Sequence, residues 1–183
     1  MLNTSSIRII GGRNKSYRIA FKATPALRPT TDRAKETLFS WLQFELKDKS
    51  CLDLFAGTGS LGLEALSRGA KHSTFIEKDK SLYKNILKNI NQLEYKDCTQ
   101  VICSDSLKWL SINKRKFDLI FLDPPFDQLD YESLLRTIYG SNIMNDEGKV
   151  FLEASKHSDI KFHHTQKILK DKVIGDVRLI ILQ

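Results

Sequence analysis

From residue 50 onward the chain alternates short apolar runs with segments of helical periodicity, and no other feature constrains its fold as strongly. The runs are 51–55, 73–77, 99–103 and 117–122, and the helical stretches between them are 60–68, 80–93 and 105–111. Successive strands separated by a helix pair in parallel through right-handed crossovers, which lay helices over both faces of one sheet. Runs such as Phe117-Asp118-Leu119-Ile120-Phe121-Leu122 are almost wholly apolar, as strands buried on both faces require. The predicted fold is therefore α/β, a doubly wound, Rossmann-like and mostly parallel sheet. A helix at 130–139 and a strand at 148–153 continue the pattern. The end differs, because 165–172 and 176–182 read as two strands joined by a short turn at Ile174-Gly175-Asp176, so the sheet is predicted to finish with an antiparallel strand pair.

Ahead of this body, Ser6 to Ala20 places Ile7, Ile9 and Ile10, then Tyr17 and Ile19, on either side of Gly11-Gly12, which predicts a β-hairpin. Thr31 is then positioned to cap a helix whose apolar residues Ala34, Leu38, Trp41, Leu42 and Leu46 recur at helical spacing. Residues 1–24 are read as a basic hairpin extension and 25–183 as the main domain. Charge follows the same division. Of the 29 basic and 22 acidic residues, the first 36 positions hold eight and two, a balance of +6, leaving 21 and 20 for the rest. A near-neutral body with a basic arm is the electrostatic footprint of a protein that docks on phosphates.

Nothing at the start of the chain has the apolar core of a signal peptide, and no apolar run reaches the ~20 residues of a membrane span. A cytoplasmic monomer without a membrane partner is expected. Cys51, Cys98 and Cys103 suit reduced, buried thiols, and the four histidines lack the spacing of metal ligands, so no metal is predicted.

The residues that carry chemistry sit at strand ends. Asp53-Leu54-Phe55-Ala56-Gly57-Thr58-Gly59-Ser60-Leu61-Gly62 contains G-x-G-x-x-G, a glycine loop that suits a nucleoside cofactor. Asp53 disfavours a pyrophosphate anion and favours the ammonium group of S-adenosylmethionine. Glu77, 20 residues after Gly57, closes the next strand where a carboxylate can accept hydrogen bonds from both ribose hydroxyls. Asp105 is suited either to an adenine amino group or to capping the helix that follows. Asp123-Pro124-Pro125-Phe126 comes directly after the strand 117–122. In a doubly wound sheet this tetrapeptide faces the glycine loop. An exocyclic base nitrogen is a poor nucleophile because its lone pair is delocalised into the ring. The Asp123 carboxylate and the Pro124 carbonyl can accept its protons, and Phe126 can stack on the base.

With these motifs the chain resembles the 16S rRNA (guanine(966)-N(2))-methyltransferase family, ribosomal small-subunit methyltransferase D. The likeness rests on Arg8-Ile9-Ile10-Gly11-Gly12, on Leu27-Arg28-Pro29-Thr30-Thr31-Asp32-Arg33 followed by Glu36-Thr37-Leu38-Phe39, on Leu61 to Arg68, on Ile76-Glu77 and on Asp123 to Phe126. It implies a class I methyltransferase sheet, S-adenosylmethionine as cofactor, and direct in-line methyl transfer to guanine N2 in 16S rRNA of the small ribosomal subunit. It further implies cofactor contacts at Asp53, Phe55, Ala56, Gly57, Thr58, Gly59, Glu77, Lys78, Asp105 and Ser106, and a base held by Asp123, Pro124 and Phe126. RNA contacts are expected at Arg8, Arg13, Lys15, Arg18, Arg28, Thr31 and Arg33. Ser16-Tyr17 stands where the resemblance implies a Gly-Arg pair. Rival readings are a DNA or RNA adenine-N6 methyltransferase, an NAD-binding oxidoreductase and a non-catalytic RNA-binding assembly factor.

Overall fold

A computed structural model describes residues 4–22, 30–125, 130–164 and 166–183. Strands β3 (Ser50–Asp53), β4 (His72–Glu77), β5 (Thr99–Cys103), β6 (Phe117–Leu122), β7 (Met144–Ser155), β8 (Ile168–Ile174) and β9 (Val177–Leu182) form one sheet in the order β5-β4-β3-β6-β7-β9-β8. The first five pair in parallel, and β9 runs antiparallel to both β7 and β8. The predicted class and the antiparallel finish are both present. Helices α2 (Ser60–Ser67), α3 (Lys80–Gln92), α4 (Ser106–Leu110) and α5 (Tyr131–Gly140) fill the intervals. The chain builds outward from β3 to β5, then returns to lay β6 on the other side of β3. The strand order therefore reverses between β3 and β6, which opens a crevice at their carboxyl ends.

Side chains alternate across the sheet, so each strand feeds two cores. Cys51, Phe75, Phe121, Phe151 and Leu179 face one layer, and Leu52, Ile76, Ile120, Leu152 and Ile180 face the other. The first layer also contains helix α1 (Asp32–Trp41) and the hairpin of β1 (Thr4–Arg8) and β2 (Arg18–Lys22). Ile7 and Ile19 are cross-strand partners, and together with Ile9 and Phe21 they are buried in the same core as α1. The hairpin is thus part of the core on one face and basic on the other.

Several boundaries differ from the expected ones. Helix α1 ends at Trp41, and Leu46 is buried from a turn instead of from a further helical turn. The chain there reverses through Asp48, whose φ of +63° cannot continue a helix. Strand β7 starts at Met144, four residues early, because Met144 already pairs with Phe117; the ladder shifts register before Leu119, near Glu147 with its φ of +61°. Strand β8 runs to Ile174, so the closing turn is shorter than expected. Of the thiols predicted to be buried, Cys51 is buried, Cys98 is half-buried and Cys103 is exposed at the end of the edge strand β5. Among the described residues no helix is long and apolar enough to cross a membrane.

Candidate active site at the switch between β3 and β6

The glycine loop leaves β3 at Asp53 and is held by backbone bonds: the Ala56 amide donates to Ile76 at 3.0 Å and the Gly59 amide to Ala56 at 2.6 Å. Gly57 and Gly59 have φ of +54° and +79°, where a side chain is strained. Gly62 is required for another reason, since a Cβ there would lie 2.3 Å from the Phe75 ring and hold α2 off β4. Thr58 and Ala56 are buried, and Phe55 packs half-buried on the second core.

Glu77 fixes this loop. Its Oε2 accepts the Gly57 amide and its Oε1 the Asp79 amide, each at 2.7 Å. Each carboxylate oxygen keeps a second acceptor position, so these bonds orient Glu77 without exhausting it. Burial pushes its carboxyl above the usual range, while the two amides pull in the opposite direction. Lys78, next in the chain, is exposed.

Asp53 is 2% exposed, and its Oδ2 accepts the Gly62 amide at 3.0 Å. Burial above all pushes its pKa up to about 7; the Gly62 amide opposes this, and the negative charges of Asp123 and Glu77 add to it. Asp53 thus feels the charges of both Glu77 and Asp123 across the ends of β3, β4 and β6. No described group of three or more acidic, histidine or cysteine side chains has the geometry to hold a metal ion. A cationic organic ligand fits the same charge pattern, because it would favour the ionised form of Asp53.

Asp123 follows β6, which the bond from the Leu54 amide to the Phe121 carbonyl at 3.2 Å draws against the end of β3. Its Oδ2 accepts the Thr30 hydroxyl at 3.0 Å. Pro124 is buried and Pro125 exposed, and Phe126 lies outside the described residues. Asp105 caps α4 by accepting the Lys108 amide at 3.0 Å. The buried Ser106 hydroxyl donates to the Leu54 carbonyl at 2.5 Å and so ties α4 to the end of β3.

The basic residues fall into two groups. Arg8 pairs with Asp32 at 3.2 Å and Arg18 donates to the Ser6 hydroxyl at 3.3 Å; both border a cavity of about 330 Å³ whose walls also include Thr30, Thr31 and Asp32. Arg13 is engaged elsewhere, lying 4.7 Å over the Tyr95 ring and donating to the Leu93 carbonyl at 3.3 Å. Lys15 and Arg33 are exposed, and Arg28 lies outside the described residues. Thr31 caps α1 by accepting the Ala34 amide at 3.2 Å.

A family model described as Conserved hypothetical protein 95 matches residues 7–183. The chain belongs to that family. Its similarity extends to a protein named ribosomal RNA small subunit methyltransferase D from Buchnera aphidicola subsp. Acyrthosiphon pisum, 35% identical over 175 residues and covering 95% of this chain and 91% of that one. The protein of the same name from Haemophilus influenzae is 37% identical over 174 residues, covering 93% and 90%. A solved structure described as a putative methyltransferase from Escherichia coli superimposes with a TM-score of 0.85 at 34% identity, over 98% of each chain. The fold of this family member is thus that of a methyltransferase, and the resemblance read from its motifs is borne out.

Two features of the family member escape a reading of its sequence. Thr30 belongs to the segment that carries the resemblance, yet its bond spans 93 positions to Asp123 and has no local signal. The second feature is the charged pair Lys35 and Glu64, both fully buried. Lys35 bonds the Arg8 carbonyl and lies 3.6 Å from Asp32, while Glu64 accepts the Ile10 amide at 2.8 Å and Arg68 at 2.7 Å. Together they bind the hairpin to α1 and α2.

Proposed function

We propose that the chain transfers the methyl group of S-adenosylmethionine to the exocyclic N2 of a guanine in the 16S RNA of the small ribosomal subunit. The observation that carries this reading is the pairing of β6 with β3, which brings Asp123 and Pro124 beside a glycine loop fixed by Glu77. Glu77 would hold the ribose hydroxyls, Asp105 or its neighbours the adenine, and Asp53 the ammonium side of the cofactor. The bound cofactor supplies an electrophilic methyl group on a positively charged sulfur. Asp123 and the Pro124 carbonyl would accept the two N–H bonds of the base amino group, which turns the nitrogen lone pair toward the methyl carbon. As the new N–C bond forms, the S–C bond breaks, and the surplus proton leaves the nitrogen through Asp123 or water. Guanine as the base rests on the resemblance carried by Leu27 to Arg33. Ribosomal RNA of the small subunit rests also on what the relatives are named.

The test offers labelled S-adenosylmethionine with naked 16S rRNA, with small subunits lacking the modification and with DNA, followed by digestion to nucleosides. N2-methylguanosine from RNA is the expected product. Label in N6-methyladenosine, or in DNA alone, overturns the assignment.

A further inference from the structure

The cavity beneath the hairpin is not required by transfer chemistry, yet its wall touches the proposed acceptor. Arg8 and Arg18 are direct cross-strand partners on β1 and β2. Like charges placed opposite each other on a ribbon repel, and an anion between them relieves that repulsion. Asp32 already serves Arg8 in this way, whereas Arg18 donates to a neutral hydroxyl. Thr30, 3% exposed, lines the same cavity and sends its hydroxyl to Asp123 at 3.0 Å. One residue therefore joins the cationic cavity to the group that would hold the target base.

We infer that this cavity is the subsite for a single backbone phosphate of the RNA, the one adjoining the nucleotide whose base reaches Asp123. The inference rests on the proposed function. A nucleotide swung out of its stack keeps the freedom to rotate about its backbone, and holding the base edge alone leaves that freedom in place. Arg8 and Arg18 hold the phosphate, which fixes the second end of the nucleotide. Thr30 acts as a positioning residue: it keeps one Asp123 oxygen engaged and sets the distance from the phosphate to the base. Asp32 competes with the phosphate for Arg8 and so lowers affinity in exchange for an ordered empty cavity.

The experiment compares wild type with Arg8→Gln/Arg18→Gln, Asp32→Asn, Thr30→Val and Thr30→Ser on unmodified small subunits. Melting curves and S-adenosylmethionine titrations establish that each variant is folded and loaded. For the double Gln variant KM rises about tenfold with kcat within about twofold, as the loss of one charge-assisted contact implies. Its log–log salt slope for binding falls by about 0.7, the share of one phosphate of single-stranded character. Asp32→Asn lowers KM. Thr30→Val lowers kcat at unchanged KM, and Thr30→Ser restores it. In a synthetic RNA fragment, a neutral methylphosphonate beside the labelled nucleotide weakens wild type and leaves the double variant indifferent. An unchanged KM and salt slope in the double variant overturns the subsite, and so does a slope loss of about 1.4, the share of two separate phosphates, which marks a diffuse basic surface. If wild type labels no RNA at all, the proposed function itself fails; if wild type and double variant label RNA alike, the function stands and the subsite falls.

Discussion

The Glu77 carboxylate accepts the Gly57 amide at 2.7 Å, so the acid that ends β4 sets the conformation of the loop that ends β3. Replacing it therefore acts on two levels. Glu77→Ala removes both the proposed ribose acceptors and the anchor of the glycine loop. Hydrogen bonds to a charged group are each worth about 1.5–3 kcal/mol, so S-adenosylmethionine affinity is expected to fall at least about tenfold and the melting temperature to drop. Glu77→Gln keeps the shape but turns an amide donor toward one backbone N–H, and is expected to lose both as well. Calorimetry and melting curves check the pair; a variant that melts normally and binds the cofactor normally would remove Glu77 from the site.

Asp123 follows β6 and accepts the Thr30 hydroxyl, whereas the glycine loop is fixed by Glu77, and the two proposed duties of the crevice are separable on that account. Asp123→Ala is expected to leave cofactor affinity within a few-fold of wild type while slowing single-turnover transfer by about 10²-fold, the usual cost of one preorganised hydrogen-bonding group. A near-normal single-turnover rate would exclude it as the acceptor.

Asp53 gives the site a pH signature. Its carboxyl has an ordinary pKa near 3.8 in the unfolded chain and about 7 when folded, raised by burial and by Asp123 and Glu77. Between about pH 4 and 7 the native state holds the proton that the unfolded state has lost, so this group makes stability fall as pH rises through that window and level off above it. A cationic ligand favours the ionised carboxylate. Affinity for S-adenosylmethionine should therefore climb as pH approaches 7 and become flat beyond it, and Asp53→Asn should remove the climb. Calorimetric titration from pH 5.5 to 8.5 distinguishes this from a flat profile.

Much of this architecture is legible in the sequence because a change from a short apolar run to helical periodicity is a local property. The glycine loop, Glu77 and Asp123 all fall at strand ends for the same reason. What is not legible depends on contacts distant in the chain. The early start of β7 is set by Phe117, and the Thr30–Asp123 bond by the packing of α1 against β6. Lys35 looks like a surface lysine until the hairpin covers it, because its partners Arg8 and Glu64 come from two other elements. The dual character of the hairpin, basic outside and apolar inside, is likewise visible only once Ile7, Ile9, Ile19 and Phe21 have a core to join.

That buried junction carries its own consequence. Glu64 is fully buried and holds the Ile10 amide and Arg68, with the charge of Lys35 nearby. Truncating one member of such a cluster leaves cations uncompensated, at a cost of about 3–5 kcal/mol. Glu64→Ala should lower the melting temperature by about 10 °C, at 2–4 °C per kcal/mol for a chain of this size. A drop of less than about 2 °C would show that the hairpin is not anchored through this residue.

Ser16 closes the same hairpin in a conformation that suits another residue. Its φ is +74°, in the left-handed region, and its amide donates to the Ile9 carbonyl at 2.8 Å, which holds the turn in place. The resemblance implies glycine at this position. A residue with a Cβ costs about 1–2 kcal/mol there, while glycine costs some of that back through the greater freedom of the unfolded chain. Tyr17, beside it, anchors the turn to α3 through Gln92 at 2.7 Å and Asn89 at 3.1 Å, so the conformation is imposed from both sides and does not relax around the serine. Ser16→Gly should therefore raise stability by up to about 1 kcal/mol, and Ser16→Val, β-branched and more strained at positive φ, should lower it. Denaturant unfolding of the two variants reads the difference directly. Equal midpoints for wild type, Gly and Val would mean that the turn does not hold Ser16 in the left-handed region.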